Sequence, residues 1–306
     1  MFRASDTGAV TGPMSQPAGR RGVLVALGAI ALAGCTDSSA PGPVASSRSS
    51  TPDVTPDMTP HVTPEVRLPR VRRWAPSPAD VDPACKLAAV RTVERRGRST
   101  TAAVQVIDAQ YGGILADTAS VLVVCRSWQL SHGRVTTDGH TFDVRLSRGP
   151  GTAWRVTAIH PSRPGPPAGH TPAARHVLAS DRIDLPPAAR ADIASGRVHD
   201  SVLTAMLGLA RSYRIGVSVV RSGHPIHVFG TDRLSDHPQG RAFDTWRIDG
   251  HPVVDPHTPE RLVTGYMRAA AAEGSYNVGG PYLLGPAPQY FSDATHHDHV
   301  HAGFAT

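Results

Sequence analysis

The hydrophobic pattern of the chain is interrupted twice by proline-rich stretches. Residues 35–78 are polar, and Thr-Pro recurs there every four residues. A segment with so little apolar content cannot bury a core, so we predict an extended tether. A second proline-rich stretch over residues 161–172 predicts a linker between two domains, residues 79–160 and residues 173–306.

Residues 79–160 have the pattern of a small α+β domain. Residues 84–107 can begin with a helix, and the apolar, β-branched run 120–125 is typical of a buried strand. Residues 141–146 and 154–159 alternate between apolar and polar positions, as half-buried strands do. Ionisable residues show no cluster here, so we expect an accessory or docking role.

The last domain combines helical and strand patterns. Asp200 and Ser201 can cap a helix that extends to about residue 212, and three apolar residues share one of its faces: Val202, Met206 and Leu209. Residues 215–219 then alternate as a strand. These patterns predict an α+β fold for this domain as well.

The N-terminus has the features of an export signal. Arg20 and Arg21 precede a short apolar run that ends in Leu-Ala-Gly-Cys at Cys35, and this run is too short to span a bilayer. The ending resembles a bacterial lipobox, which implies cleavage after residues 1–34 and a lipid on Cys35. We therefore expect a protein anchored by lipid to the cell membrane, on its extracytoplasmic face. The paired arginines also resemble a twin-arginine signal, so the general secretory and twin-arginine routes both stay open.

The cysteines fit an exported protein. With Cys35 assigned to the lipid, Cys85 and Cys125 are left. An even number of cysteines in an exported domain favours a disulfide between them, and two independent buried thiols are the alternative.

The charge of the protein is basic and comes almost entirely from arginine. The net charge is +6, the isoelectric point is about 9.7, and Lys86 is the one lysine among 31 basic residues. The arginines are scattered and do not interleave with aromatic residues, which argues against nucleic-acid binding. We expect a monomer near an anionic surface, such as a cell-wall polymer or anionic lipid.

The candidate chemistry lies near the C-terminus. His237 and Asp244 flank Gly240, which permits a tight turn between them. His299 and His301 follow later in the chain, and on a strand both would point to the same side. A hydrolytic zinc site needs three histidine or carboxylate ligands, an open position for water and a nearby base. This part of the chain offers all of these groups.

Two motifs carry a resemblance to a known superfamily. The pattern S-x-H-x-x-G-x-A-x-D over residues 235–244, followed by D-H-V-H over residues 298–301, resembles zinc peptidases. This superfamily includes D-alanyl-D-alanine carboxypeptidases, muramoyl endopeptidases and the Hedgehog signalling domain. The resemblance covers about residues 200–304 and implies a small antiparallel sheet with helices on one face. It also implies that Zn²⁺ is bound by His237, Asp244 and His301.

The resemblance leaves the catalytic base open between two neighbours. The family's base is often an acidic residue three positions before the last ligand, which here is Asp298. Strict strand alternation would turn Asp298 away from His301, so a bend is needed if Asp298 is the base. In a regular strand His299 takes that role. We favour Asp298.

One position departs from the family pattern. Carboxypeptidase members usually carry S-G-Y-R before the first ligand, and the arginine contacts the substrate. Residues 222–225 read Ser-Gly-His-Pro instead. Arg221, or Arg233 nearer the ligand, can take the place of that arginine.

The resemblance and the export signal together predict a membrane-tethered zinc peptidase. Its expected substrates are the peptide stems or cross-links of peptidoglycan, with D,D or L,D stereochemistry both open. The alternative is a zinc-stabilised module that docks a wall polymer or a protein without hydrolysis, as the Hedgehog domain illustrates.

Overall fold

Two β-sheets and five α-helices make up residues 66–305, the part of the chain that the computed structural model describes. The fold is α+β, as predicted, and the described residues belong to one compact unit. The predicted signal peptide, Cys35 and most of the tether lie outside the described residues and stay predictions. Within residues 66–305, no helix is long and apolar enough to cross a membrane.

The first sheet is antiparallel and has one helix against it. Its strands pair in the order β1-β2-β4-β5, and β3 pairs with β2. The predicted helix and strands of this region are confirmed. The elements are α1 (Pro83–Arg96), β1 (Ala102–Ile114), β2 (Thr118–Ser131), β3 (Arg134–Asp138), β4 (Thr141–Ser147) and β5 (Arg155–Pro161).

Helix α1 begins at a capped turn. The Asp82 carboxylate accepts a hydrogen bond from the Cys85 backbone N–H at 3.0 Å, and Pro83 occupies the first helical position. The helix then buries one face, including Ala89 and Val93, against apolar side chains of the sheet. This packing fixes α1 on the first sheet.

The predicted Cys85–Cys125 disulfide is wrong, because both cysteines are free and buried. Cys85 lies in the first turn of α1 next to Tyr111, whereas the Cys125 thiol donates to the His140 carbonyl at 3.3 Å. Cys85 belongs to α1 and Cys125 to β2, and both pack as free thiols in the core between this helix and the sheet. Burial raises the pKa of Cys85 to about 12 and that of Cys125 to about 11.

The second sheet has the strand order β11-β10-β12-β8-β7-β6, with β9 paired to β8. Its central pairs are antiparallel, whereas β10–β11 and β6–β7 are parallel. The strands are β6 (Ile183–Asp184), β7 (Ile215–Val217), β8 (Ala242–Ile248), β9 (His251–Pro252), β10 (Asn277–Gly279), β11 (Tyr290–Phe291) and β12 (Val300–Gly303).

Four helices accompany the second sheet: α2 (Pro172–Ala179), α3 (Pro187–Ala194), α4 (Asp200–Ala210) and α5 (Glu260–Ala272). The predicted α4 is confirmed, and its three apolar residues are buried. Its predicted cap is wrong, since His199 holds the N-cap position without a side-chain hydrogen bond. Helices α2, α3 and α5 were not predicted from the sequence.

The two sheets contact each other through apolar side chains. Leu122 and Val124 of β2 pack against Val219, which follows β7. The first sheet therefore lies directly beside the strands that carry the candidate ligands.

Gly240 makes the tight turn expected between His237 and β8. Its φ is +73°, and its N–H donates to the His237 carbonyl at 2.8 Å. A Cβ at this position would lie 2.0 Å from the Arg197 carbonyl oxygen. Glycine is required here both for its backbone conformation and for the space.

A comparison of two glycines tests this requirement. Gly250 also has a positive φ, +86°, but a Cβ there would meet nothing within 4 Å. We expect Gly250→Ala to lower the free energy of unfolding by about 1–2 kcal/mol, the strain of the left-handed backbone alone. In Gly240→Ala the new Cβ would also collide with the Arg197 carbonyl oxygen, so this variant should lose clearly more free energy of unfolding. Urea unfolding of both variants measures this, and equal losses would contradict it.

Candidate metal centre

Strand pairing brings two of the predicted ligands together. In the antiparallel pair β8–β12, Asp244 lies directly opposite His301. Directly opposed residues point to the same face of a sheet. Their neighbours Phe243 and Ala302 point into the helical core, so Asp244 and His301 point to the other face.

The turn at Gly240 returns His237 to these two residues. The His237 Nδ1 lies 2.9 Å from the Val220 carbonyl oxygen, which can only accept a hydrogen bond. The Nδ1 therefore carries a proton, which makes Nε2 the ring nitrogen that faces Asp244 and His301.

Three ligand atoms form a small triangle, which we call the ligand triangle. His237 Nε2 lies 3.1 Å from Asp244 Oδ1 and 3.1 Å from His301 Nδ1, and the last two atoms are 3.0 Å apart. In a tetrahedral site with bonds of about 2.0–2.1 Å, ligand atoms lie about 3.3 Å from each other. The three buried side chains therefore fit a metal ion within a few tenths of an ångström.

His224 is a further imidazole next to the ligand triangle. Its ring stacks on His237 with centroids 4.2 Å apart, and its Nδ1 lies 2.9 Å from the Pro225 carbonyl oxygen. Ligand atoms of His224, His237 and Asp244 lie within 4.8 Å of one another, so this set can also hold a metal ion. The ligand triangle is tighter, and we assign the primary ligands to it. Sequence reasoning noted position 224 only as a departure from S-G-Y-R.

The protonation states suit metal binding. Burial opposes the charge of Asp244, but His237 and His299 hold its pKa well below the usual value. Burial lowers the pKa of His301 to about 4 and, with the neighbouring His237, keeps that of His224 well below its usual value. Near neutral pH the site therefore offers the carboxylate of Asp244 and the neutral imidazoles of His224 and His301, the forms in which these residues bind metals.

The imidazole of His299 lies beside the ligand triangle, and Asp298 contacts the side of this imidazole that faces away from the triangle. His299 Nδ1 lies 2.6 Å from Asp298 Oδ1, and its Nε2 lies 3.7 Å from Asp244 Oδ1. The other oxygen of Asp298 accepts from Lys86 Nζ at 2.7 Å and from the Tyr111 backbone N–H at 3.0 Å.

The structure shows how the two candidates for the base, Asp298 and His299, are placed. A 3₁₀ turn at Thr295–His297 precedes Asp298, and β12 begins only at Val300. Both carboxylate oxygens of Asp298 are engaged away from the ligand triangle. The side chain that lies nearer the triangle is therefore that of His299, and the identity of the base stays a prediction.

Arg221, one of the two arginines expected to contact the substrate, is turned away from the cleft in this structure. Its guanidinium donates to the Pro164 and Arg163 carbonyls at 2.6 and 3.3 Å, and it lies 3.4 Å from Asp192. Arg233, the other candidate, lines the cleft next to the ligand triangle.

The ligand triangle opens into a cleft of about 530 Å³. His237, His299 and His301 lie in this cleft. The end of β1 also lines it, through Tyr111, Gly112, Ile114 and Leu115. The first sheet thus forms part of the cleft, and the accessory or docking role expected for this region stays a prediction.

Two buried residues of the first sheet region were missed by sequence reasoning. Lys86 contacts Asp80 and Asp298, and Gln110 contacts Asp244. As the one lysine among 31 basic residues, Lys86 carried a signal that could have been used. Nothing in the sequence singled out Gln110.

Comparisons of the chain with protein-family models, curated proteins and solved structures find no match in any of the three. The superfamily resemblance therefore stays a prediction. It depends on the motifs at residues 235–244 and 298–301.

Asp108 is a further acid near this cluster. Its Oδ2 is buried without a hydrogen-bond partner. Burial raises its pKa to about 7, although Lys86 opposes the shift. Between about pH 4 and 7 the folded protein therefore keeps a proton that the unfolded chain has lost. Stability from this proton is present at low pH and disappears as the pH rises to 7.

Replacing Asp108 tests this linkage. In metal-free protein, the free energy of unfolding of the wild type should fall relative to Asp108→Asn between pH 4.5 and 7.5. The difference should reach on the order of a few kcal/mol. Urea unfolding at several pH values measures it, and parallel stability curves for the two proteins would contradict a raised pKa of Asp108.

Proposed function

We propose that the protein is a zinc-dependent peptidase that hydrolyses peptide bonds in the stems or cross-links of peptidoglycan. The observation that carries the proposal is the ligand triangle with the His299 imidazole beside it. Two imidazoles and one carboxylate are a ligand set that suits zinc. Three protein ligands also leave a position for water, as hydrolytic zinc sites do.

The chain supplies the groups that hydrolysis needs. A zinc ion bound by His237, Asp244 and His301 would acidify a water molecule and polarise the scissile carbonyl. His299 Nε2 is the nitrogen placed to accept the proton of the attacking water and to return it to the leaving amine. The hydrogen bond to Asp298 leaves the Nδ1 proton in place, so that Nε2 is the basic nitrogen.

Asp298 supports this role through its charge. Burial alone would raise its pKa, but Lys86 and His299 hold that pKa below the usual value. The carboxylate therefore remains ionised and stabilises the imidazolium that His299 becomes when it accepts a proton.

The substrate proposal combines the cleft with the sequence. Arg233 is a cation in the cleft that can bind a substrate carboxylate, in place of the arginine missing from residues 222–225. Peptidoglycan stems carry such carboxylates. The motif resemblance and the export signal support a substrate in the cell wall.

One observation favours the docking module as a second candidate. Pro225 stands where related peptidases have their substrate arginine, and Arg221 is bound elsewhere. A zinc-stabilised module that binds the wall without cleaving it needs neither the arginine nor a base.

Digestion of purified peptidoglycan by the zinc-loaded full chain separates the two candidates, with mass spectrometry of the released fragments. We expect metal-dependent products, and we expect His237→Ala to abolish them. His299→Ala should keep stoichiometric zinc but lose on the order of 100-fold or more in rate, because it lacks the base. His257→Ala, at an exposed histidine, is the matched control and should match the wild type.

The contrary results are equally specific. A protein that binds zinc and wall but releases no product from walls of several stem types is a docking module. A protein that binds no stoichiometric zinc contradicts both candidates.

A further inference from the structure

We infer that the first sheet region completes the metal centre, with Gln110 as the positioning residue for the ligand Asp244 and Lys86 as the positioning residue for the Asp298–His299 pair. The Gln110 part rests on the metal site alone. The Lys86 part rests on the proposed hydrolysis.

Gln110 fixes the free oxygen of the metal ligand. It is fully buried, and its Nε2 donates to Asp244 Oδ2 at 2.6 Å. Its Oε1 accepts a hydrogen bond from the Ser218 hydroxyl. Since an ionised carboxylate can only accept, Asp244 determines the amide orientation, and the Ser218 hydroxyl donates to the remaining amide oxygen. Asp244 is thereby held so that Oδ1 alone belongs to the ligand triangle.

A β-bulge in β1 directs Gln110 towards the second sheet. Val104 and Val106 face α1, and regular alternation would turn Gln110 to the same side. One extra residue between Val106 and Asp108 shifts the register. Gln110 then lies opposite Leu122, on the face that meets the second sheet.

Lys86 holds the second carboxylate. Its side chain is 1% exposed, and its ammonium lies between Asp298 and Asp80, 4.9 Å from the centre of the Tyr111 ring. An unpaired buried lysine would lose its charge, but these two carboxylates outweigh burial and raise its pKa. The fixed positive charge keeps Asp298 oriented and ionised behind His299.

The two residues act on different quantities. Gln110 contacts a metal ligand, so its loss should weaken metal binding. Lys86 does not line the cleft and contacts no member of the ligand triangle, so its loss should reduce turnover without changing zinc affinity. A role in folding alone would produce neither pattern.

The Gln110 test measures metal binding in the full chain. Gln110→Met removes the amide at similar volume and should weaken the zinc Kd by about 10–100-fold, measured by chelator competition. It should also change the visible absorption spectrum of the cobalt-substituted protein. Gln105→Met is the matched control: Gln105 lies on the same strand but binds the Arg72 backbone. It should leave the Kd and the spectrum unchanged.

If Gln110→Met does not fold, Ser218→Ala keeps the inference testable. This variant releases only the acceptor side of the amide and should weaken zinc binding in the same direction but less. Wild-type zinc affinity in a folded Gln110→Met or in Ser218→Ala would overturn the assignment. Failure of the wild type to bind zinc would instead overturn the proposed function.

The Lys86 test measures turnover of soluble muropeptides. Lys86→Met should lower kcat by on the order of 100-fold with KM and the zinc Kd unchanged. The double variant Lys86→Met/Asp80→Asn removes one charge of each sign, and is used if the single variant unfolds. Asp80→Asn alone is the control and should change kcat much less, since Asp80 does not contact His299. An unchanged kcat in either Lys86 variant would overturn this part.

Discussion

A buried carboxylate, that of Asp244, is the group around which the rest of the site is arranged. An ionised carboxylate without partners costs several kcal/mol inside a protein, so its surroundings must offset that cost. Here imidazole nitrogens of His237 and His301 lie at 3.1 and 3.0 Å from one oxygen, and Gln110 donates to the other. Two imidazole nitrogens and one carboxylate oxygen that lie this close together favour a cation between them.

The carboxylate of Asp298 is also buried and needs a partner of opposite charge, which Lys86 provides. The ammonium and the Tyr111 backbone N–H hold one oxygen of Asp298, which leaves the other for His299. The charges alternate from Asp80 through Lys86 to Asp298, so no member of the series is buried without a partner of opposite sign. Removing Lys86 would leave two buried carboxylates without their cation.

The need of Asp244 and Asp298 for buried partners is consistent with the position of the first sheet region next to the second sheet. Two buried acids of the second sheet region, Asp244 and Asp298, each take a donor from the first sheet or from α1, and the end of β1 lines the cleft. In the proposed peptidase, the first sheet region would therefore belong to the catalytic unit. Its functional residues are far in the chain from the motifs at residues 235–244 and 298–301.

The sequence by itself determined the α+β class, the helix and three of the five strands of the first sheet region, and α4. It also singled out His237, Asp244 and His301, which the structure brings within 3.1 Å of one another. These depend on local periodicity and on motifs whose spacing fits one turn and one strand. Tertiary structure decided the rest: the free cysteines, the turned-away Arg221, the contacts of Asp298 with Lys86 and His299, and the contact of Gln110 with Asp244. Each of these depends on strand register, on the bulge in β1 or on packing between sheets. Such long-range relations leave no periodic signal in a single chain, because one extra residue is enough to reverse the face of a strand.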